Sequence, residues 1–165
     1  MPPIVPSRSW APPFLFKKYD LIVVGSGIVG LSTAISFKQK NKKASVLILE
    51  RGILPSGAST KNAGFACFGS VSELLDDLTK MPEETVWKTV EMRWQGLDLL
   101  RKRLGDKHLG YTGLGGFELF DKEKNFGSCS EKIDTLNKKI KKTLGLKNCY
   151  SIVAPKDIYF KNING

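Results

Sequence analysis

Cysteine is scarce in this chain of 165 residues: there are three, Cys67, Cys129 and Cys149. Their spacing matches no metal-binding pattern. An odd number without a secretory signal predicts reduced thiols in a cytoplasm. Histidine is scarcer still, with His108 alone. No Ser-His-Asp set can be assembled around it, and no metal cluster. A lone histidine after a helix end reads as a surface residue without a role. No run of about eighteen apolar residues occurs, so no transmembrane helix is expected. Met1 to Phe16 lacks the basic and apolar regions of a secretory signal. Instead it holds Pro2, Pro3, Pro6, Pro12 and Pro13. It reads as an extended tail reaching Lys18. Trp10, Phe14, Leu15 and Phe16 beside Lys17 and Lys18 allow contact with a membrane interface, but the favoured reading is that they cover an edge of the first strand. There is no internal repeat and no low-complexity tract.

Acidic residues are also in short supply. Sixteen Asp and Glu stand against 26 Lys and Arg, a formal net charge of +10. A polyanion partner is one reading of such a charge. However, aromatics do not interleave the basic run Lys138, Lys139, Lys141 and Lys142. Those lysines fall near the end of a predicted helix, where cations complement the dipole. No nucleic-acid module is recognisable, so the charge reads as a solvated surface and nucleic acid is not an expected partner.

The stretch Tyr19-Asp20-Leu21-Ile22-Val23-Val24-Gly25-Ser26-Gly27-Ile28-Val29-Gly30 carries the most information. An apolar strand runs into G-x-G-x-x-G, and a helical pattern follows. Gly25 makes the tight turn, Gly27 lets phosphate oxygens reach backbone N–H groups, and Gly30 lets the helix pack on the sheet. The helix N-terminus then points its positive end at an anion. Leu31, Ala34 and Ile35 give the helix an apolar face, and it should end near Lys40. Asn41-Lys42-Lys43 turns the chain into a second buried strand, Ala44 to Leu49. Glu50 follows, twenty residues after Gly30, where an acid can accept hydrogen bonds from ribose hydroxyls. Tyr19 to Glu50 is thus predicted to be a complete βαβ unit for the ADP half of a dinucleotide.

After Arg51, the segment Ser56-Gly57-Ala58-Ser59-Thr60-Lys61-Asn62-Ala63-Gly64 clusters hydroxyl residues among glycines. That composition suits a second phosphate-binding turn. Ser59 and Thr60 can donate hydroxyl hydrogen bonds, and Lys61 can add a point charge. A nicotinamide-binding unit normally passes from its acid to the next helix without such a segment.

The G-x-G-x-x-G unit, the Glu50-Arg51 pair and G-A-S-x-K-N-A-G resemble the amino-terminal part of the D-amino-acid oxidase and glycine oxidase superfamily of FAD-dependent oxidoreductases. Lys61 stands where that family commonly has Arg. The resemblance is specific for Tyr19 to Phe68, loose from Val71 to Phe120, and absent beyond. It implies a Rossmann-like FAD-binding βαβ unit, followed by helices and the start of a substrate domain, incomplete in this chain. The implied cofactor is FAD, held by Gly25 to Gly30, Glu50, Arg51 and Ser59 to Gly64. The implied reaction is oxidation of an amino acid or secondary amine by hydride transfer to FAD. Family members look about twice as long or more, so the expectation is a leading portion, inactive alone, that needs a missing carboxy-terminal half or a partner chain. No catalytic residue is named, because the family's substrate-holding groups lie in parts absent here. The alternatives are a non-enzymatic dinucleotide-binding subunit needing a partner chain, and a fragment of an NAD-dependent dehydrogenase.

The remaining chain divides as a tail (1–18), the cofactor unit with its loop (19–70), a helical segment (71–106) and a partial substrate-domain segment (107–165). Cys67, just after the proposed flavin loop, reads as a small buried hydrophobe rather than a residue near the flavin. Ser70-Val71-Ser72-Glu73 is a capping box opening a helix through Leu78. Pro82, Glu83 and Glu84 begin a longer helix whose stripe is Val86, Val90, Trp94, Leu97, Leu100 and Leu104, ended by Gly105. Tyr111 to Phe120 alternates like a strand. Ser128-Cys129-Ser130-Glu131 reads as another capping box, opening a helix with Ile133, Leu136, Ile140 and Leu144 on one face and Gly145 at its end. Ser151 to Gly165 reads as a weak strand or frayed tail.

Overall fold

A computed structural model of the chain describes residues 17–120 and 122–153. The expected packing of Trp10, Phe14, Leu15 and Phe16, and the segment 154–165, lie outside the described residues. Two compact units divide the chain, one ending at Phe65 and the other beginning at Ala66.

In the first unit, β1 (Leu21–Val24) leads into α1 (Ile28–Lys40) and then β2 (Val46–Leu49). The strands pair in parallel, with Leu21 opposite Val46 and Val24 opposite Leu49. Parallel strands need such a crossover, and the helix supplies it. An acid–serine pair closes each end of the ladder. Before the strands, Asp20 Oδ2 accepts from the Ser45 N–H at 2.7 Å and the Ser45 hydroxyl at 2.8 Å. After them, Glu50 does the same to Ser26.

The strands are not buried as their composition suggests. A single helix packs on two strands, so Val23 and Ala34 are buried while Val24 is 85% and Ile22 52% exposed. On α1, only Ala34 of the expected apolar face is buried; Leu31 and Ile35 are exposed. An all-apolar strand suits a sheet covered on both faces, and this unit covers one.

The second unit is helical: α2 (Val71–Lys80), α3 (Glu83–Leu104), α4 (Asp106–Leu109), α5 (Glu123–Ser130) and α6 (Ile133–Leu144). Val71 and Leu74 from α2, Val86 and Val90 from α3, Cys129 from α5 and Leu136 from α6 form its core. Ile140 is buried as well. On α3 the stripe splits: Val86 and Val90 are enclosed, Trp94, Leu97 and Leu100 are half-buried, and Leu104 is exposed. Gly105 ends α3 with φ +77°. The one-turn α4 then folds back, because Arg101 Nε and Nη2 each donate to Asp106 at 2.7 Å and the Tyr111 ring lies 4.2 Å from the guanidinium.

Three expectations are corrected in this unit. Tyr111 to Phe120 forms no strand. Residues 112–117 are all exposed, and exposure alternates only over 117–120, with Glu118 turned inward and Phe117 and Leu119 outward. The Glu118 carboxylate accepts from the Ser70 hydroxyl at 3.1 Å, from the Ser72 N–H at 3.3 Å and from the Ser72 hydroxyl. The N-terminus of α2 is an electrostatic partner for it that a strand neighbour would otherwise have to outbid. Ser128 to Glu131 is no capping box: α5 is already under way, and the Ser128 hydroxyl donates back to the Lys124 carbonyl at 3.0 Å. The N-cap of α6 is Lys132, without a side-chain cap. Finally, Cys67 is exposed rather than buried; Cys129 is the buried cysteine.

Candidate functional site

The turn after β1 is shaped by glycine geometry. Gly25 has φ +95°, where a side chain would be strained, and its N–H donates to the Leu49 carbonyl at 2.7 Å. Gly27 is extended and starts α1. The Leu31 N–H donates to the Gly27 carbonyl at 2.9 Å. The N–H groups of Ile28, Val29 and Gly30 therefore have no acceptor within the helix and face out of its positive end. Gly30 allows the helix to start this close to the turn: a Cβ there would lie 2.3 Å from the Gly25 carbonyl oxygen and 3.0 Å from Val23 Cγ1.

Glu50 reaches the same turn from the end of β2. Its Oε2 accepts from the Ser26 N–H at 2.8 Å and the Ser26 hydroxyl at 2.7 Å. Its Oε1 accepts from the N–H groups of Arg51 at 2.9 Å and Gly52 at 3.3 Å. These bonds, the Ser26 hydroxyl first, hold the carboxyl at about 2, well below its ordinary value. Glu50 is thus a fixed anion at neutral pH, and it is exposed. Spacing names Glu50 but not its partner. The signal for Ser26 is the strand register, since pairing Val24 with Leu49 brings the residues that follow them together.

The loop after Arg51 contributes one side chain to this place. Gly57 caps a 3-10 turn, Ala58–Thr60. Ser59 in that turn accepts from the Ile28 N–H at 2.9 Å, so a hydroxyl sits on the first free donor of α1. A Cβ on Gly27 would meet that Ser59 oxygen at 3.1 Å. The rest of the loop turns on itself. The Thr60 hydroxyl donates to the Gly57 carbonyl at 3.0 Å, so it is used within its own turn. Asn62 Oδ1 accepts from the Gly64 N–H at 3.0 Å, and Gly64 has φ +81°. Lys61, Ala63 and the Arg51 residue are exposed. Ser26, Ile28, Glu50 and Ser59 are therefore brought together, while Thr60 to Gly64 form an outer turn of their own.

The donors and acceptors suit the ADP half of a dinucleotide. Backbone N–H groups at a helix start can hold a pyrophosphate, the glycines leave room for it, and an ionised carboxylate at the second strand's end can accept from ribose hydroxyls. Among the described residues, no group of three His, Cys, Asp or Glu could hold a metal ion. His108 lies exposed on α4. No helix among the described residues is long and apolar enough to cross a membrane.

Comparison with known proteins places the chain in a family. The family model described as DAO, FAD dependent oxidoreductase, matches residues 20–155. A probable oxidoreductase OrdL of Haemophilus influenzae is 29% identical over 85 residues, which is 52% of this chain and 19% of that protein. A sarcosine oxidase subunit beta of Rhodobacter capsulatus is 40% identical over 55 residues, 33% of this chain and 13% of that protein. The aligned segments thus span less than a fifth of these relatives' lengths. No solved structure matches the chain. On the extent of the family match, which runs from the first strand through the last described helix, this chain belongs to the DAO family of FAD-dependent oxidoreductases.

Proposed function

We propose that residues 19–64 hold FAD and that the chain supplies the cofactor-binding portion of an oxidoreductase acting on an amine or amino acid. One observation carries the reading: the N-terminal N–H of α1, the Glu50 carboxylate and the Ser59 hydroxyl meet at one end of the parallel strands. Gly25 to Gly30 would receive the pyrophosphate and Glu50 the ribose hydroxyls. Arg51 and Ser59 to Gly64 would lie along the phosphates and the near edge of the flavin. Bound flavin supplies the electron acceptor for amine oxidation, and the chain's own residues bind and orient it.

The substrate class is supported by the resemblance of the loop and by similarity to a protein named as a sarcosine oxidase subunit. No residue is assigned to the chemical step. The exposed faces of Val24 and Ile22 favour a companion reading, in which a further polypeptide segment or partner chain covers the strands and completes the enzyme. Anaerobic mixing of the FAD-loaded chain with glycine, sarcosine, proline and D-amino acids tests both readings. Bleaching by none of them, restored by a completing chain, is the expected result. Bleaching by the chain alone would place a whole active site within it, and no bleaching even with a completing chain would remove the substrate class.

A further inference from the structure

One end of the first unit is cationic. Residues 17–45 carry six lysines, Lys17, Lys18, Lys38, Lys40, Lys42 and Lys43, with no arginine and one acid, Asp20. The fold brings these lysines to one place. Lys17 and Lys18 precede β1, Lys38 and Lys40 end α1, and Lys42 and Lys43 sit in the turn before β2. The Asp20 N–H donates to the Ser45 carbonyl at 3.1 Å, and Lys18 and Lys43 each stand two residues from that pair. Asp20, Lys40, Lys42 and Lys43 line one open hollow.

Lys38 is used by the fold, since its Nζ donates to the Ala44 carbonyl at 2.5 Å. The other five lysines are exposed, and none is paired with an acid among the described residues. Asp20 is taken by Ser45. The lysines of α2 and α3 are different: Lys80 pairs with Asp76, Lys88 with Glu91 and Lys102 with Asp98. A solvated helix face mixes its charges in that way, and this end of the first unit does not. It also lies opposite Gly25 and Glu50, at the far end of strands four residues long, a separation of roughly 13 Å.

We infer that this lysine end is a docking surface for an anionic lipid membrane, with Trp10, Phe14, Leu15 and Phe16 as its apolar part. In the sequence those four residues run directly up to Lys17 and Lys18. Lysines are drawn to anionic headgroups, while aromatic and apolar side chains enter the interface. Lysine is a point charge on a flexible stem, which suits a diffuse charged plane. Bidentate recognition of phosphate or carboxylate uses arginine, and residues 17–45 contain none. A lipid surface therefore fits this end better than nucleic acid or a folded acidic partner. Docking here leaves the glycine turn and Glu50 facing away from the lipid. The inference does not rest on the cofactor reading.

The test is sedimentation of the full chain with vesicles of phosphatidylcholine alone and of phosphatidylcholine with phosphatidylglycerol, at rising salt. One variant combines Lys40→Gln, Lys42→Gln and Lys43→Gln. A second combines Lys138→Gln, Lys141→Gln and Lys142→Gln on α6, removing the same charge from the other unit. The expected result is salt-sensitive binding to the anionic vesicles only. The first triple should weaken it roughly fivefold for each lysine removed, and the second should weaken it far less. Trp10→Ser with Phe14→Ser should weaken vesicle binding and leave binding to soluble polyglutamate unchanged. Equal binding to neutral vesicles, binding to neither, equal losses in the two triples, or unaltered vesicle binding without Trp10 and Phe14 would overturn the inference. So would tighter binding to duplex DNA than to the anionic vesicles at the same salt. The comparison of the two vesicle types uses the unaltered chain, so it stands whether or not a variant folds.

Discussion

Ser26 gives both its backbone N–H and its hydroxyl hydrogen to one oxygen of Glu50, at 2.8 and 2.7 Å. The glycine turn after the first strand is therefore tied to the acid after the second. Asp20 and Ser45 repeat the arrangement at the opposite end of the strands. A two-stranded parallel pair is weak by itself, and these side-chain locks hold its register where packing does not.

The lock makes the unit acid-sensitive. Glu50 titrates at about 2 when folded, against an ordinary value of 4.5, with the Ser26 hydroxyl as first cause. A depressed carboxyl contributes stability that is fully present above the unfolded value. It is lost as pH falls from about 4.5 towards about 2. Glu50→Gln should flatten the stability profile in that window, leaving the part due to Asp20, whose carboxyl is also lowered, first by the Ser45 N–H. In Ser26→Ala, the Glu50 carboxyl should move up towards its ordinary value. NMR titration of the side-chain carbon reads this directly, and an unmoved midpoint would mean that Ser26 is not the cause.

Gly30 and Gly96 should respond oppositely to alanine. At Gly30 the new Cβ would lie 2.3 Å from a backbone oxygen, which cannot swing away as a side chain could. The expected cost is about 1–3 kcal/mol. At Gly96, inside α3, nothing lies within 4 Å of the new Cβ. Alanine there should stabilise by up to about 1 kcal/mol through helix propensity. Thermal unfolding of the two variants checks the pair, and shifts of the same sign would contradict the packing described for Gly30.

Ser70→Ala should cost about 0.5–2 kcal/mol, the range of a lost N-cap. It removes the acceptor for the Glu73 N–H and one donor to Glu118. Ser70→Asp keeps a cap but brings a second carboxylate to Glu118, so it should not restore full stability. Chemical denaturation of the three proteins tests this, and full rescue by Asp would show that Glu118 is not held there.

The Ser70 box was legible because both its halves lie within four residues. The same letters at Ser128 to Glu131 misled, since the pattern does not reveal that a helix has begun upstream at Glu123. Tyr111 to Phe120 alternates, but alternation cannot say whether a strand stands alongside. The glycines, α1 and Glu50 follow from local geometry. The bonds that assemble the site do not: Ser26 to Glu50 spans 24 residues, and Ile28 to Ser59 spans 31. Such contacts depend on tertiary placement, for which short-range spacing carries no signal.

The measurement that bears most directly on the cofactor site is equilibrium titration of the chain with FAD, NAD and NADP, repeated with Gly27→Val. A branched side chain at Gly27 would press on the Ser59 oxygen, which a Cβ alone already meets at 3.1 Å, and would fill the approach to the α1 N–H groups. Each charge-assisted hydrogen bond lost is worth about 1.5–3 kcal/mol. The expected result is that FAD binds more tightly than either nicotinamide dinucleotide and that Gly27→Val abolishes its binding while the helical unit keeps its fold. Tighter binding of NAD or NADP, or equal FAD affinity in the variant, would contradict the assignment of residues 19–64 to FAD.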